Sequence, residues 1–369
     1  MKTKNIITGL LSGAGISING KMPWDIQVHD DRLYQRLLSE ATLGLGESYM
    51  DGWWDCEALD EFVNRILREK LAIKITGNWK TALYVLQTKI FNRQKKSRAF
   101  QVGERHYDLG NDLYKAMLDS RLNYTCAYWK NAKTLDEAQE NKLDLVCKKI
   151  NLKPGMTVLD LGCGWGSFAK YAAEKYGAKV VAVNISKEQV RLARELCRGL
   201  PVEIRLQDYR EAYGKYDAVI SIGILEHVGY KNYPIYMKVV NRCLNDDGIA
   251  FIHTIGGNAS QTHGNKWTDK YIFPGGMLPT LKQMATASEG VFVTEDLHNF
   301  GTDYDLTLMA WMANVDANKT ALQQAGYDEH FYRLVKIFFH QLMHPFEYER
   351  IYLIENLQLC LIQLHWYHE

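Results

Sequence analysis

In the stretch VLDLGCGWGSFAKYAAEKYGAKVVAVNIS, residues 158–186, glycines recur at Gly162, Gly164 and Gly166, where an apolar run gives way to a helical one. Glycine there permits left-handed backbone angles and lets a ligand approach main-chain N–H groups at a helix start. Turns of this kind serve nicotinamide, flavin and adenosyl cofactors alike, so two neighbours must narrow the choice. Asp160 stands inside the strand just before the turn, where a carboxylate repels a pyrophosphate but suits a cationic amino-acid head group. S-adenosylmethionine fits that charge better than a dinucleotide. Further on, Gln207 and Asp208 in LQDYR follow another strand and offer an acceptor for an adenine amino group, although Asp208 reads equally well as a turn or helix-cap residue. The strand KVVAVNI ends at Asn184, with Gln189 a helical turn beyond, where a ribose-binding acid is usual. Amides can hydrogen-bond hydroxyls without charge.

These residues need strands that end together beside helix starts, and the chain supplies them. From about residue 136, TLDEAQENKLDLVCKKINL, SFAKYAAEKYG and KEQVRLARELCRGL read as helices, and TVLDLG, KVVAVNI, VEIRLQD, YDAVISIG and GIAFIHTIG as strands. Strand and helix in turn with short connections imply βαβ units and a parallel sheet covered on both faces. Residues 1 to about 92 read as mostly helical, with apolar residues three and four apart and a break expected at Gly44 and Gly46. Between Arg65 and Arg98, ten basic residues face a single acid, Glu69, while Leu83, Leu86, Ile90 and Phe91 run among them. Alone, that pattern describes either a basic amphipathic helix for a membrane surface or a solvated helix face ending in a linker.

The chain has 369 residues, 47% of them apolar and 24% charged, enough for two domains or one large one. A net charge of +1 excludes a polyelectrolyte binder, so nucleic acid is not an expected partner and any electrostatic function is local. Seven cysteines without a CxxC pair argue against a zinc site or a disulfide framework and suit a reducing, cytoplasmic setting. No metal is expected. The opening MKTKNIITGLLSGAGISING is interrupted by Gly9, Gly13 and Gly15, and no apolar stretch reaches membrane-spanning length.

The glycine turn and its flanks resemble class I S-adenosylmethionine-dependent methyltransferases. RHYDLGNDLYKAMLD (105–119), YTCAYWK (124–130), GILEHVGYKNYPIY (223–236), FIHTIG (251–256), YIFPGGMLP (271–279) and HNFGTDYDLTLMAW (298–311) together resemble the cyclopropane-fatty-acyl-phospholipid synthase family, in order from about residue 10 to about residue 335. The resemblance implies an α/β fold of the class I methyltransferase type, Rossmann-like, with a mostly parallel seven-stranded sheet. A smaller helical N-terminal domain, 1–95, with lipid contact, would precede a catalytic domain, 96–369.

The implied reaction transfers a methylene from S-adenosylmethionine to a cis double bond in a phospholipid acyl chain, through a carbocation deprotonated by bound bicarbonate. An unactivated alkene is a poor nucleophile, so the site must position the methyl donor and tolerate a developing cation. Aromatic faces do so without capturing it, and Tyr124, Tyr128, Trp129, Tyr271, Phe273 and Tyr304 are near the motifs. By resemblance the bicarbonate is held at Cys126, Glu226, His253, Ile255 and Tyr304. His253 and Tyr304 would donate to it, with main-chain N–H groups of Cys126 and Ile255 available, while Glu226 would share a proton or orient the bicarbonate hydroxyl. Donor contacts are implied at Tyr124, Thr125, Gly162, Gly164, Asn184, Gln189 and Gln207. In this context the basic 65–98 segment implies peripheral, salt-sensitive attachment at the inner face of the membrane, each nearby Lys or Arg contributing about 1 kcal/mol. A homodimer is implied as well.

After about Lys336 the chain departs from the family's pattern. A cysteine expected near the C-terminus falls at Leu342, and Cys360 comes too late to replace it. Either the tail has diverged or it is read in another frame, since Met343-His344 requires ATG-CAY and a one-base shift reads TGC, a cysteine codon. Two rival functions stay open: a related lipid C-methyltransferase that does not close the ring, and a catalytically impaired homologue that binds lipid and cofactor.

Overall fold

The computed structural model describes residues 2–71, 110–262, 264–343 and 357–366. The boundary expected at 95/96 and most of the basic 65–98 segment lie outside the described residues.

The strands are β1 (Gln27–Val28), β2 (Trp54–Asp55), β3 (Thr157–Leu161), β4 (Lys179–Asn184), β5 (Val202–Leu206), β6 (Tyr216–Ile222), β7 (Leu244–Gly257), β8 (Phe292–Asn299) and β9 (Leu357–Trp366). β1 and β2 pair by themselves, and the other seven form one sheet in the order β5-β4-β3-β6-β7-β9-β8. Neighbours from β5 to β7 are parallel, whereas β9 lies antiparallel between β7 and β8. The mostly parallel seven-stranded sheet expected from the sequence is therefore present.

Covered on both faces, the central strands need apolar residues on both sides, and β3 has them. Val158 belongs to one buried cluster with Phe168, Ala169 and Val190, while its neighbour Leu159 belongs to another with Tyr236, Val240 and Met284. That alternation is the two-residue period of a strand sending successive side chains to opposite layers. The chain order reverses between β3 and β6, which leaves a crevice at the carboxyl ends of the strands where ligands bind in open α/β sheets. The register aligns Leu161 with Val183, and Ile222 with His253, so the ends of β3, β4 and β6 and the His253 position of β7 meet at that crevice.

Residues 2–71 are mostly helical, as expected. Helices Thr42–Met50 and Leu59–Arg68 pack on the C-terminal helix Glu329–Met343, and Leu33, Trp54 and Phe62 share an apolar core with Trp311 and Phe339. The break expected at Gly44 and Gly46 falls instead at Ala41, whose φ is 50°. Both glycines lie within helix Thr42–Met50 and are buried. A Cβ at Gly44 would come 2.6 Å from the Arg36 carbonyl oxygen, and one at Gly46 would run into the Trp267 indole. Here glycine admits close neighbours to a helix rather than ending it.

Candidate active site

The three glycines of the turn have different jobs, although all have positive φ, 80° at Gly162, 55° at Gly164 and 80° at Gly166. A Cβ at Gly162 would sit 2.7 Å from Ile224 Cδ1, and one at Gly166 would meet Cys197 Sγ at 3.2 Å and Ala193 Cβ at 3.3 Å. Gly166 thus lets helix Ser167–Tyr176 pack on helix Lys187–Leu196, and it is not among the described residues lining the adjacent pocket. Only at Gly164 of the three is there open space where a Cβ would point. It borders a pocket of about 80 Å³ lined by Tyr124, Thr125, Lys142, Asp160, Gly162 and Gln189 among others. Asp160 is 2% exposed, and burial pushes its carboxyl up to about 7 against the pull of the Lys142 ammonium. A carboxyl poised there can accept from an ammonium head group at neutral pH, in keeping with the charge argument made from sequence.

The other residues expected on the adenosyl side have hydrogen-bond partners within the protein. Asn184 Nδ2 donates to the Gly164 carbonyl at 3.0 Å and to Gln189 Oε1 at 2.8 Å, while its Oδ1 accepts from the Ile185 N–H at 2.7 Å. It ties the end of β4 to the glycine turn and braces Gln189, which is the one of the two that lines the pocket. Asp208 takes the helix-cap alternative: its carboxylate accepts from the Arg210 N–H at 2.9 Å and from the Arg210 guanidinium at 3.1 Å. Gln207 Nε2 donates to the Glu211 carbonyl at 2.7 Å, and neither residue is among the described residues lining the pocket. Asp208→Ala is accordingly expected to lower stability by about 1 kcal/mol, as lost caps do, with S-adenosylhomocysteine affinity within about twofold of wild type. Denaturant titration and calorimetry would check the two halves; a tenfold affinity loss would return Asp208 to the adenine.

Next to this pocket lies a cavity of about 280 Å³, and the two share Tyr124, Thr125 and Gly223. Cys126, Glu226, His253, Ile255 and Tyr304 all line it. They come from different elements: the irregular segment around residue 126, helix Leu225–Val228 just after β6, the end of β7, and the first turn of helix Thr302–Ala317. His253 is 2% exposed, and its ring stacks on Phe300 at 5.7 Å and 5°. Among the described residues neither of its ring nitrogens has a partner, nor does Glu226 Oε2. Glu226 Oε1 accepts from the Ile255 N–H at 2.7 Å, so that amide, expected to be free for an anion, is engaged by the carboxylate instead.

Burial sets the protonation of these groups. It pushes Glu226 up to about 7, only partly offset by the Ile255 amide, holds His253 well below its ordinary value and His227 at about 4, and raises the Tyr304 phenol far up. The cavity therefore presents two neutral imidazoles, a neutral phenol and, in Glu226, a carboxyl able to gain or lose a proton near neutrality.

The rest of its wall is largely apolar, including Phe273, Met277, Trp311, Phe338 and Leu342. Trp311 lies 5.2 Å from Tyr124 and 6.0 Å, edge to face, from Tyr304. Of the six aromatic residues expected near a cation, Tyr124, Phe273 and Tyr304 line the cavity. The others have structural partners: Tyr128 packs on His298 and Phe300, Trp129 donates to Asp303 and Thr307, and Tyr271 donates to Glu47. Lys142 in the donor pocket and Trp311 in the cavity are not among the site residues expected from sequence. For Lys142 a signal exists, since on helix Leu135–Lys149 it falls on the buried stripe of Leu135, Ala138, Gln139, Leu143 and Val146.

This strand order, with a glycine turn closing its first parallel strand and a buried acid before it, defines a class I S-adenosylmethionine-dependent methyltransferase. The chain belongs to the mycolic acid cyclopropane synthetase family, whose model matches residues 94–356. It is 51% identical over 306 residues to the cyclopropane-fatty-acyl-phospholipid synthase of Escherichia coli (strain K12), covering 83% of this chain and 80% of that protein. Two solved structures share the fold. The cyclopropane synthase MmaA2 from Mycobacterium tuberculosis has a TM-score of 0.63 and 26% identity over 71% of this chain and 98% of its own. Mycolic acid cyclopropane synthase CmaA1, complexed with SAH and CTAB, has a TM-score of 0.62 and 30% identity over the same shares, 71% and 98%. The family match continues past Lys336 but stops short of β9, which nevertheless occupies its place between β7 and β8.

Proposed function

We propose that this chain is a cyclopropane-fatty-acyl-phospholipid synthase, transferring a methylene from S-adenosylmethionine to the cis double bond of phospholipid acyl chains. One observation carries the reading: a mostly apolar cavity meets the donor pocket at Tyr124, Thr125 and Gly223, and its polar groups include the His253 ring nitrogens and Glu226 Oε2, which have no hydrogen-bond partner among the described residues. Such a wall suits an acyl chain, and the polar cluster suits one small hydrogen-bonding group beside the reacting carbons.

The alkene attacks the donor methyl, the C–S electron pair leaves with sulfur, and a cation develops on the neighbouring carbon. A proton then leaves the new methyl carbon and its C–H electrons close the ring. The faces of Tyr304, Tyr124 and Trp311 attract that cation. Burial keeps the Cys126 thiol protonated, so it does not trap the cation as a thiolate. The buried His253 nitrogens and Glu226 Oε2, which line one cavity and lack hydrogen-bond partners among the described residues, fit a small oxyanion that carries its own hydroxyl. A bicarbonate bound there by His253, Glu226, Tyr304 and Cys126 would supply the base for ring closure. Glu226, fixed by the Ile255 amide, would accept from its hydroxyl.

Access to lipid is assigned to the helical N-terminal unit and to the basic 65–98 segment, with peripheral attachment to anionic membranes and a homodimeric assembly; the sequence pattern and the family resemblance support these. Among the described residues no helix is long and apolar enough to cross a membrane.

Mass spectrometry of unsaturated phospholipid vesicles, incubated with enzyme and methyl-labelled S-adenosylmethionine with and without bicarbonate, tests the reading. The expected product has gained CH2 and lost a double bond, and forms faster with bicarbonate. Absence of labelled lipid under both conditions would sink the proposal, and a methylated product still unsaturated would favour transfer without ring closure.

A further inference from the structure

Residues 123–126, of which Tyr124 and Thr125 line both the donor pocket and the acceptor cavity, belong to no helix or strand. A buried segment of that kind must find partners for its polar groups outside a regular ladder. Here they come from one face of helix Leu135–Lys149. Lys142 Nζ donates to Thr125 Oγ1 at 2.9 Å and to Asn123 Oδ1 at 3.3 Å, and Gln139 Nε2 donates to the Thr125 carbonyl at 2.9 Å. From the other side Asp119 accepts from Asn123 N at 2.7 Å and from Asn123 Nδ2 at 2.8 Å. Lys142 is 1% exposed and lines the donor pocket but is not among the described residues lining the acceptor cavity.

We propose that Lys142 is a positioning residue for methyl transfer, its buried ammonium clamping Thr125 and Asn123 so that the wall on which sulfonium methyl and alkene meet is held in one place. Burying an ammonium costs several kcal/mol before pairing, and a position needed only for packing is filled as well or better by an apolar residue. The Asp119 and Asp160 carboxyls offset that cost without removing it, since the lysine is still held at about 8. A wall misplaced by about 1 Å is enough to slow a reaction about a hundredfold.

The inference rests on the proposed methyl-transfer function, and its test separates the two. Lys142→Met keeps most of the volume and removes both hydrogen bonds. With unsaturated phospholipid vesicles its kcat is expected to fall about 30-fold, as for loss of hydrogen bonds to a charged group, with KM for lipid within about twofold. Thr125→Val, which removes the acceptor, is expected to show the same pattern. Because the two act through one contact, the double variant should be no slower than the slower single variant. A wild-type kcat in K142M, or effects that multiply in the double variant, would overturn the clamp. If K142M does not unfold cooperatively, T125V alone decides: an unchanged kcat refutes the proposal. If the wild-type enzyme makes no lipid product, the functional reading fails, and calorimetry with S-adenosylhomocysteine still scores the clamp. Affinity about fivefold weaker in K142M and T125V supports it, and unchanged affinity counts against it.

Discussion

Glu226→Gln is expected to lower ring formation by about 10²- to 10³-fold, the range for loss of a group that manages a proton in the transition state, while KM for S-adenosylmethionine stays near wild type. The amide oxygen of glutamine can keep the bond from the Ile255 N–H, now 2.7 Å long, so the helix after β6 should hold its place. What disappears is the carboxyl's ability to change protonation. Burial places that change at about 7, so kcat in the wild-type enzyme should rise as the pH passes upward through neutrality, and the variant should lose that limb. Asp160 also titrates at about 7, but it lines the donor pocket, and its limb should appear in the cofactor KM rather than in kcat. His253, kept neutral by burial, adds no limb there.

The same substitution should stabilise the fold at alkaline pH. The folded value of Glu226, about 7, lies above its ordinary 4.5. The folded state therefore binds more protons between those limits, and stability declines as the pH rises from about 4.5 to 7. Glutamine removes that decline, for a gain of up to about 3 kcal/mol at pH 8. Slower turnover with unchanged or better denaturant resistance is the expected pair of results. Loss of both would mark Glu226 as a structural residue.

What the sequence disclosed and what it hid divide along physical lines. β3 to β7 are legible because short apolar runs alternate with amphipathic helices, a local pattern. β8 and β9 are not, because β9 belongs between β7 and a strand more than 50 residues before it, a long-range pairing that no local period announces. Cys126, Glu226, His253, Ile255 and Tyr304 stand out only through the resemblance of whole blocks. Their meeting depends on the register that sets Ile222 beside His253, which spacing alone does not give. Asn184 and Asp208 show the reverse difficulty: a short polar side chain after a strand caps a turn as readily as it meets a ligand. Lys142 is hidden by its type, since a lysine on a helix ordinarily carries its charge to water.

Gly164→Val is expected to weaken S-adenosylmethionine binding by more than about 100-fold and to abolish measurable turnover, because two separate demands converge on that residue. Its φ of 55° is left-handed, where a β-branched side chain costs about 1 to 2 kcal/mol. Its missing Cβ faces open space, so a valine would project into the approach a ligand needs to reach the turn's main chain. Strain alone would cost stability and leave affinity nearly intact. Gly166→Ala supplies that comparison, since φ there is 80° and a Cβ meets Cys197 and Ala193 across a helix contact. It should lower the denaturation midpoint while S-adenosylhomocysteine affinity, read by calorimetry, changes little. If both variants bound the ligand like wild type, the glycine turn would be a folding device, and the donor site would have to lie elsewhere along the carboxyl ends of the sheet.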